Sequence, residues 1–123
     1  MTTFHSLKEH YLVCDADCPI LSSGSLEDEM LLYNLKDTDK PHLTQMFKLI
    51  TEKELNLASK TEELSGGQKV ILMCLLALYS PASSIAFLNL DKSLDTKRRS
   101  MIRELVAELG AGKEIILRET DEA

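Results

Sequence analysis

Tryptophan is absent, and aromatic residues make up only 5% of the 123. Few rings are left to stack on bases, the usual means of gripping single-stranded nucleic acid. Basic residues are outnumbered, with 14 Lys and Arg against 20 Asp and Glu and a formal net charge of -6. Such a surface repels a phosphate backbone, so no nucleic-acid partner is expected. The longest apolar run, Val70 to Tyr79, falls far short of the roughly 20 residues that span a bilayer, so no direct membrane insertion is expected. The start, Met1-Thr2-Thr3-Phe4-His5, has no basic flank ahead of an apolar core and reads as no secretory signal. Cys14, Cys18 and Cys74 are odd in number and too sparse for a disulfide framework. These absences point to a cytoplasmic location. What remains, 44% hydrophobic and 28% charged residues, suits one soluble globular domain with an adequate core.

Within that domain the pattern alternates strands and helices. Tyr11 to Cys14 is a short apolar run closed by Asp15-Ala16-Asp17 and Pro19, which reads as a strand. Ile20 to Gly24 reads as a loop. Ser25 then suits an N-cap, with Glu27, Asp28 and Glu29 in the first turn where the helix dipole favours carboxylates, and helical spacing continues to about Lys36. Pro41 fits a helix start, and Leu43, Met46, Phe47 and Ile50 recur at helical intervals; Thr51 to Leu57 reads as a continuation or a second short helix. A helix from Ser65-Gly66-Gly67-Gln68 to Tyr79 is apolar nearly all round and must be covered on most sides. Ser80-Pro81 ends it. Ile85 to Leu90 reads as a central strand of a parallel sheet. After Asp95 an amphipathic helix carries Met101, Ile102, Leu105, Val106 and Leu109 on one face and stops at Gly110 and Gly112; Glu114 to Arg118 makes the last strand. The alternation implies an α/β unit with a right-handed crossover.

Leu64-Ser65-Gly66-Gly67-Gln68 carries the sharpest chemistry. Ser65 is placed to cap the helix and Gln68 falls at its third position, a capping box. The two glycines strip side chains from the first turn, so the backbone N–H groups can be approached closely. A helix start with bare amides and a serine hydroxyl suits a phosphate; the same residues equally suit a plain capped helix packed through its glycines. Other candidates are weaker. Cys14-x-x-x-Cys18 fits no standard zinc knuckle, and no metal is expected. His5, His10 and His42 lie on polar segments and read as surface residues. Lys97-Arg98-Arg99 opens a helix against its dipole and reads as a solvated face, while Met46, Met73, Met101, Phe47 and Phe87 read as core.

The LSGGQ run resembles the signature motif of ATP-binding cassette (ABC) ATPases. Ser93-Leu94-Asp95 resembles that family's D-loop and stands at the matching offset without a gap. Asp17 to Leu26 resembles the stretch after the third core strand, commonly Q-D-P-x-L-F-x-G-S-L, and Lys113 to Asp121 resembles the segment ending in the switch histidine. The likeness spans about Tyr11 to the C-terminus. It implies an α/β, partial P-loop NTPase-like fold: the ABC helical subdomain plus part of the parallel catalytic sheet, with about three strands and four to five helices. In those terms residues 1–123 form a single domain with a 1–10 extension, a helical subdomain over 25–79 and a strand-helix-strand unit over 80–123.

Departures from the family pattern bear directly on activity. No G-x-x-x-x-G-K-[ST] run occurs, so no loop is present to cradle the β- and γ-phosphates. The gapless alignment puts the Walker B aspartate at Leu88, the adjacent glutamate at Asn89, the Q-loop glutamine at Asp17, and the switch histidine at Asp121, or Thr120 with a one-residue slip. Leucine holds no cation and neutral asparagine takes no proton. Asp91 as a displaced metal ligand would break the register to the D-loop. No catalytic residue is therefore expected, and no ATP hydrolysis by the chain alone. In ABC dimers the signature of one subunit meets the γ-phosphate held by the other, so the resemblance implies that Ser65, Gly66, Gly67 and Gln68, with Ser93 and Asp95 at the same interface, could complete an ATP site on a partner. The partner would be an intact ABC subunit; a homodimer is the other expectation, since the apolar Val70 to Tyr79 helix and bare sheet edges call for cover. The competing reading is a structural or interaction module without a nucleotide role. Lys69 and Asp91 look like the chromosome-maintenance branch, and Pro19 to Leu26 looks like transporters.

Overall fold

The structure, a computed structural model, describes residues 11–19, 21 and 24–120. The 1–10 extension with His5 and His10, the loop positions Ile20, Ser22 and Ser23, and Asp121 lie outside the described residues. Three strands, β1 (Leu12–Asp15), β2 (Ser84–Leu88) and β3 (Glu114–Arg118), form one parallel sheet in the order β1-β2-β3. Leu12 pairs with Ile85 on one side of β2, and Ser84 pairs with Glu114 on the other. The central place follows from composition, because Ile85, Ala86, Phe87 and Leu88 are all buried. The expected run to Leu90 stops at Leu88, because Asn89 turns into left-handed backbone at φ 66° and starts a short helix instead.

Among the described residues five α-helices connect the strands: α1 (Leu26–Leu32), α2 (Lys40–Thr51), α3 (Gly66–Tyr79), α4 (Leu90–Ser93) and α5 (Thr96–Leu109). At the start of α1, Ser25 Oγ accepts from Asp28 N–H at 3.3 Å while Asp28 Oδ2 accepts from Ser25 N–H at 3.1 Å. The helix ends at Leu32, short of Lys36. Asn34 sits at φ 58°, and Leu35 N–H returns to Met30 O at 2.9 Å, a left-handed C-terminal cap that buries Leu35 over the helix end. Thr51 to Leu57 forms no second helix. Glu52, at φ 65°, closes α2, and the Thr51 hydroxyl donates back to Phe47 O at 2.8 Å. A single 3-10 turn, Thr61–Glu63, leads into α3.

Helix α3 is the hub. Every residue from Val70 to Leu78 is buried, and the helix packs against α2, α5, α4, β1 and β2. The chain itself covers this apolar helix, which overturns it as a ground for expecting an oligomer. Phe47 and Leu43 from α2, Ile102 and Leu105 from α5, and Ile85 and Phe87 from β2 join the same core; Met73 is buried with them, while Met46 and Met101 pack at its rim. On the opposite face of the sheet Ala86 and Leu88 are buried, with Val13, Tyr11 and Ile116 against them. Gly110 ends α5, and a Cβ there would lie 2.3 Å from Val106 O, so only glycine fits. Among the described residues no helix is long and apolar enough to cross a membrane.

Candidate functional site

Residues of interest gather at the tip of α3 and at the carboxyl ends of the strands. At the first, Ser65 Oγ accepts from Gln68 N–H at 3.2 Å and Gln68 Oε1 accepts from Ser65 N–H at 3.0 Å, the capping box expected from spacing. Lys69 N–H is bonded to Ser65 O at 2.9 Å. The first-turn amides left over are those of Gly66 and Gly67, which have no intrahelical acceptor. Both glycines are exposed, and a Cβ on either would meet no atom within 4 Å. Packing therefore does not require glycine here. The tip presents two bare N–H groups, an exposed serine hydroxyl still free to donate, and the positive end of a 14-residue helix dipole.

At the strand ends the side chains are tied to one another. Asn89, 1% exposed, donates Nδ2–H to Asp15 Oδ1 at 2.9 Å, across 74 residues of chain. Its Oδ1 accepts from both the N–H and the hydroxyl of Thr120, each at 2.8 Å. One asparagine thus laces the tips of all three strands together. Asp17 pairs with Lys92 at 3.5 Å, and Asp91 is held by Arg103 at 2.7 Å while its N–H donates to Glu119 Oε2 at 3.3 Å. Leu88 is buried in the sheet. Of the positions singled out by the alignment, Asn89 and Thr120 come into direct contact, and neither Asp17 nor Leu88 bonds to them.

Ser93 ends α4 and Asp95 caps α5. Asp95 Oδ1 accepts from Arg98 N–H at 2.8 Å and Oδ2 from the Arg98 guanidinium at 2.9 Å. The Arg98 backbone N–H, followed by the guanidinium charge, holds the Asp95 carboxyl below the usual range. Helix α4 packs against α3, yet no hydrogen bond or ion pair among the described residues links Ser93 or Asp95 to the Ser65–Gln68 tip. Cys14 is buried and Cys18 exposed, and both thiols are free. His42 lies on the surface. A cavity of about 110 Å³ between β3 and α5 is floored by Phe87, Ile102 and Val106 and rimmed by Arg99 and Arg103. That is below the several hundred Å³ of a nucleotide-sized pocket.

Sequence spacing identified the α3 tip but not the Asp15–Asn89–Thr120 lacing. Asn89 and Thr120 stood out only as departures from a family pattern, and Asp15 did not stand out at all. Neither a protein-family model nor a curated protein sequence matches the chain. Its fold is similar to solved structures of ABC cassettes. The ATP-binding subunit of an ABC transporter superposes with a TM-score of 0.68 at 19% identity, over 89% of this chain and 48% of that one. CbiO1 from Clostridium perfringens, part of the ABC transporter complex cbiONQ, gives 0.60 at 21% identity, over 95% and 49%. The cassette MJ0796, a dimer in a post-hydrolysis state bound to ADP and Pi, gives 0.59 at 20%, over 98% and 58%. The chain therefore has the architecture of part of an ABC cassette, and spans about half the length of these proteins.

Proposed function

We propose that the chain is an ABC-like module without hydrolytic activity of its own, which completes a nucleotide site in trans on a partner cassette. The α3 tip would do this work. Gly66 and Gly67 would turn their free amides, and Ser65 its hydroxyl, toward the terminal phosphate of an ATP held by the partner, with Gln68 keeping the turn closed through its capping bond. Ser93 and Asp95 would face the same partner. One observation carries the reading: a diglycine helix start that packing does not require is kept open to solvent. The dimeric, ADP-and-Pi-bound state of the similar cassette MJ0796 supports it. The proposed lack of activity is supported by Asn89, a neutral side chain whose amide is bonded to Asp15 and Thr120.

A second reading, a structural or interaction module, is favoured by the capping box itself, since Ser65 and Gln68 already satisfy one another. Gly67→Arg separates the two, because the added side chain points into open space and leaves the fold intact. The chain should recover from its host an ATPase subunit bearing an intact phosphate loop, more strongly with a non-hydrolysable ATP analogue than without nucleotide. Gly67→Arg should abolish that nucleotide-dependent part. Equal recovery by both proteins, with or without nucleotide, would overturn the in-trans role.

A further inference from the structure

Among the described residues strand β3 leaves one edge open. Glu114 N–H donates to Ser83 O at 2.8 Å and Arg118 O accepts from Asn89 N–H at 2.8 Å, so residues 114 and 118 turn their backbone groups toward β2. Strand alternation turns Ile116 the same way and leaves the N–H and C=O of Ile115 and Leu117 on the outer edge. Among the described residues no strand occupies that edge. Of the usual safeguards only the charges at its two ends are present. Glu114–Arg118 contains no lysine or proline, its centre is Ile115-Ile116-Leu117, and Leu117 is 41% exposed.

The order Glu-Ile-Ile-Leu-Arg is its own complement when reversed. With Ile116 set against the partner's Ile116, Glu114 falls opposite the partner's Arg118 and Ile115 opposite the partner's Leu117. The outward groups of Ile115 and Leu117 are then the ones that exchange N–H···O=C bonds with the partner's Leu117 and Ile115, because they flank a non-hydrogen-bonded pair at the centre. A parallel, in-register arrangement would instead set Glu114 against Glu114 and Arg118 against Arg118. We propose that β3 is a homodimer interface, at which two copies of this chain pair antiparallel about a twofold axis at Ile116 to make a continuous sheet.

Strand pairing alone buries less than the roughly 1,000 Å² of a stable interface. Helix α5 supplies more. Arg99 and Arg103 border the same cavity as Leu117, which places this flank of α5 beside the open edge. The adjoining surface is a shallow groove along Ser100, Glu104 and Ala107, small or mixed in charge, against which a second α5 can close. The proposal is independent of the nucleotide reading, which uses the tip of α3.

Charge exchange tests register and direction together. Glu114 and Arg118 are exposed, so substitution there leaves the buried core in place, although Glu114→Arg also gives up the bond that the Glu114 carboxylate accepts from the Tyr11 hydroxyl. Sedimentation should show the wild-type chain as a dimer. Glu114→Arg alone and Arg118→Glu alone each set like charges opposite one another twice, and should weaken the dimer about tenfold or more while far-UV circular dichroism stays unchanged. Glu114→Arg/Arg118→Glu should dimerise again, and an equimolar mixture of the two single variants should form one-to-one heterodimers by native mass spectrometry. A monomeric wild type, single variants that dimerise as well as wild type, or a mixture that stays monomeric would each overturn the proposal.

Discussion

Asn89 shows how one residue can decide what a site does. Its conformation is left-handed, which asparagine and aspartate tolerate better than most residues, so Asn89→Asp keeps the backbone and changes only the side chain. The variant loses the donor to Asp15 and faces that carboxylate with one of its own. It should lower stability by about 2–3 kcal/mol at neutral pH, in line with an unsatisfied buried polar pair. Burial and Asp15 raise the folded-state pKa of the new acid above its unfolded value, so the loss is present at high pH and relieved as the pH falls. Urea melts of variant and wild type at two pH values check this. The cysteines give a second test. Burial pushes the Cys14 thiol up to about 12 and raises Cys74 well above its ordinary value, whereas Cys18 is exposed. A native thiol titration should label Cys18 alone, with Cys14 and Cys74 reacting only in denaturant. Because both folded values are raised, the thiols contribute stability below the unfolded pKa of roughly 8.5, which is lost progressively as the pH climbs above it.

Helices and strands were legible where the signal is local and not where backbone conformation decides. The N-cap at Ser25, the capping box at Ser65, the α2 face of Leu43, Phe47 and Ile50, and the stop at Ser80-Pro81 could all be read from neighbours within a turn or two. Three ends were misplaced: α1 beyond Leu32, α2 beyond Thr51 and β2 beyond Leu88. Each is closed by a non-glycine residue at positive φ, namely Asn34, Glu52 and Asn89, and sequence reading expects glycine in that role. Asn34 gives the test for this scale. Asn34→Gly should be neutral or slightly stabilising, while Asn34→Val should cost about 1–2 kcal/mol, because a β-branched side chain resists the left-handed cap. Thermal melts of the two variants should fall on opposite sides of wild type or nearly so. The lacing of Asp15, Asn89 and Thr120 was invisible for another reason: its bonds join positions 74 and 31 residues apart, and no local pattern encodes them.

As a whole the molecule has the strands and helices of part of a cassette, and its strand ends are occupied by their own side chains. Mg-ATP titrated calorimetrically into the isolated chain should give nothing tighter than about millimolar affinity, the level expected of a helix tip without a phosphate loop. Micromolar binding would show that the triphosphate is gripped by groups assigned no such role here. The order of the sheet also governs how the chain reaches its final form. Strands β2 and β3 are joined through α4 and α5 alone, but β1 meets β2 only after Leu12 finds Ile85, closing a loop more than twice as long. Each doubling of such a loop adds about 0.6 kcal/mol of closure entropy, and long-range pairings are the slow step of assembly. During synthesis the first strand therefore leaves the ribosome long before its neighbour exists, and must stay soluble as a waiting thread until the helices behind it have gathered.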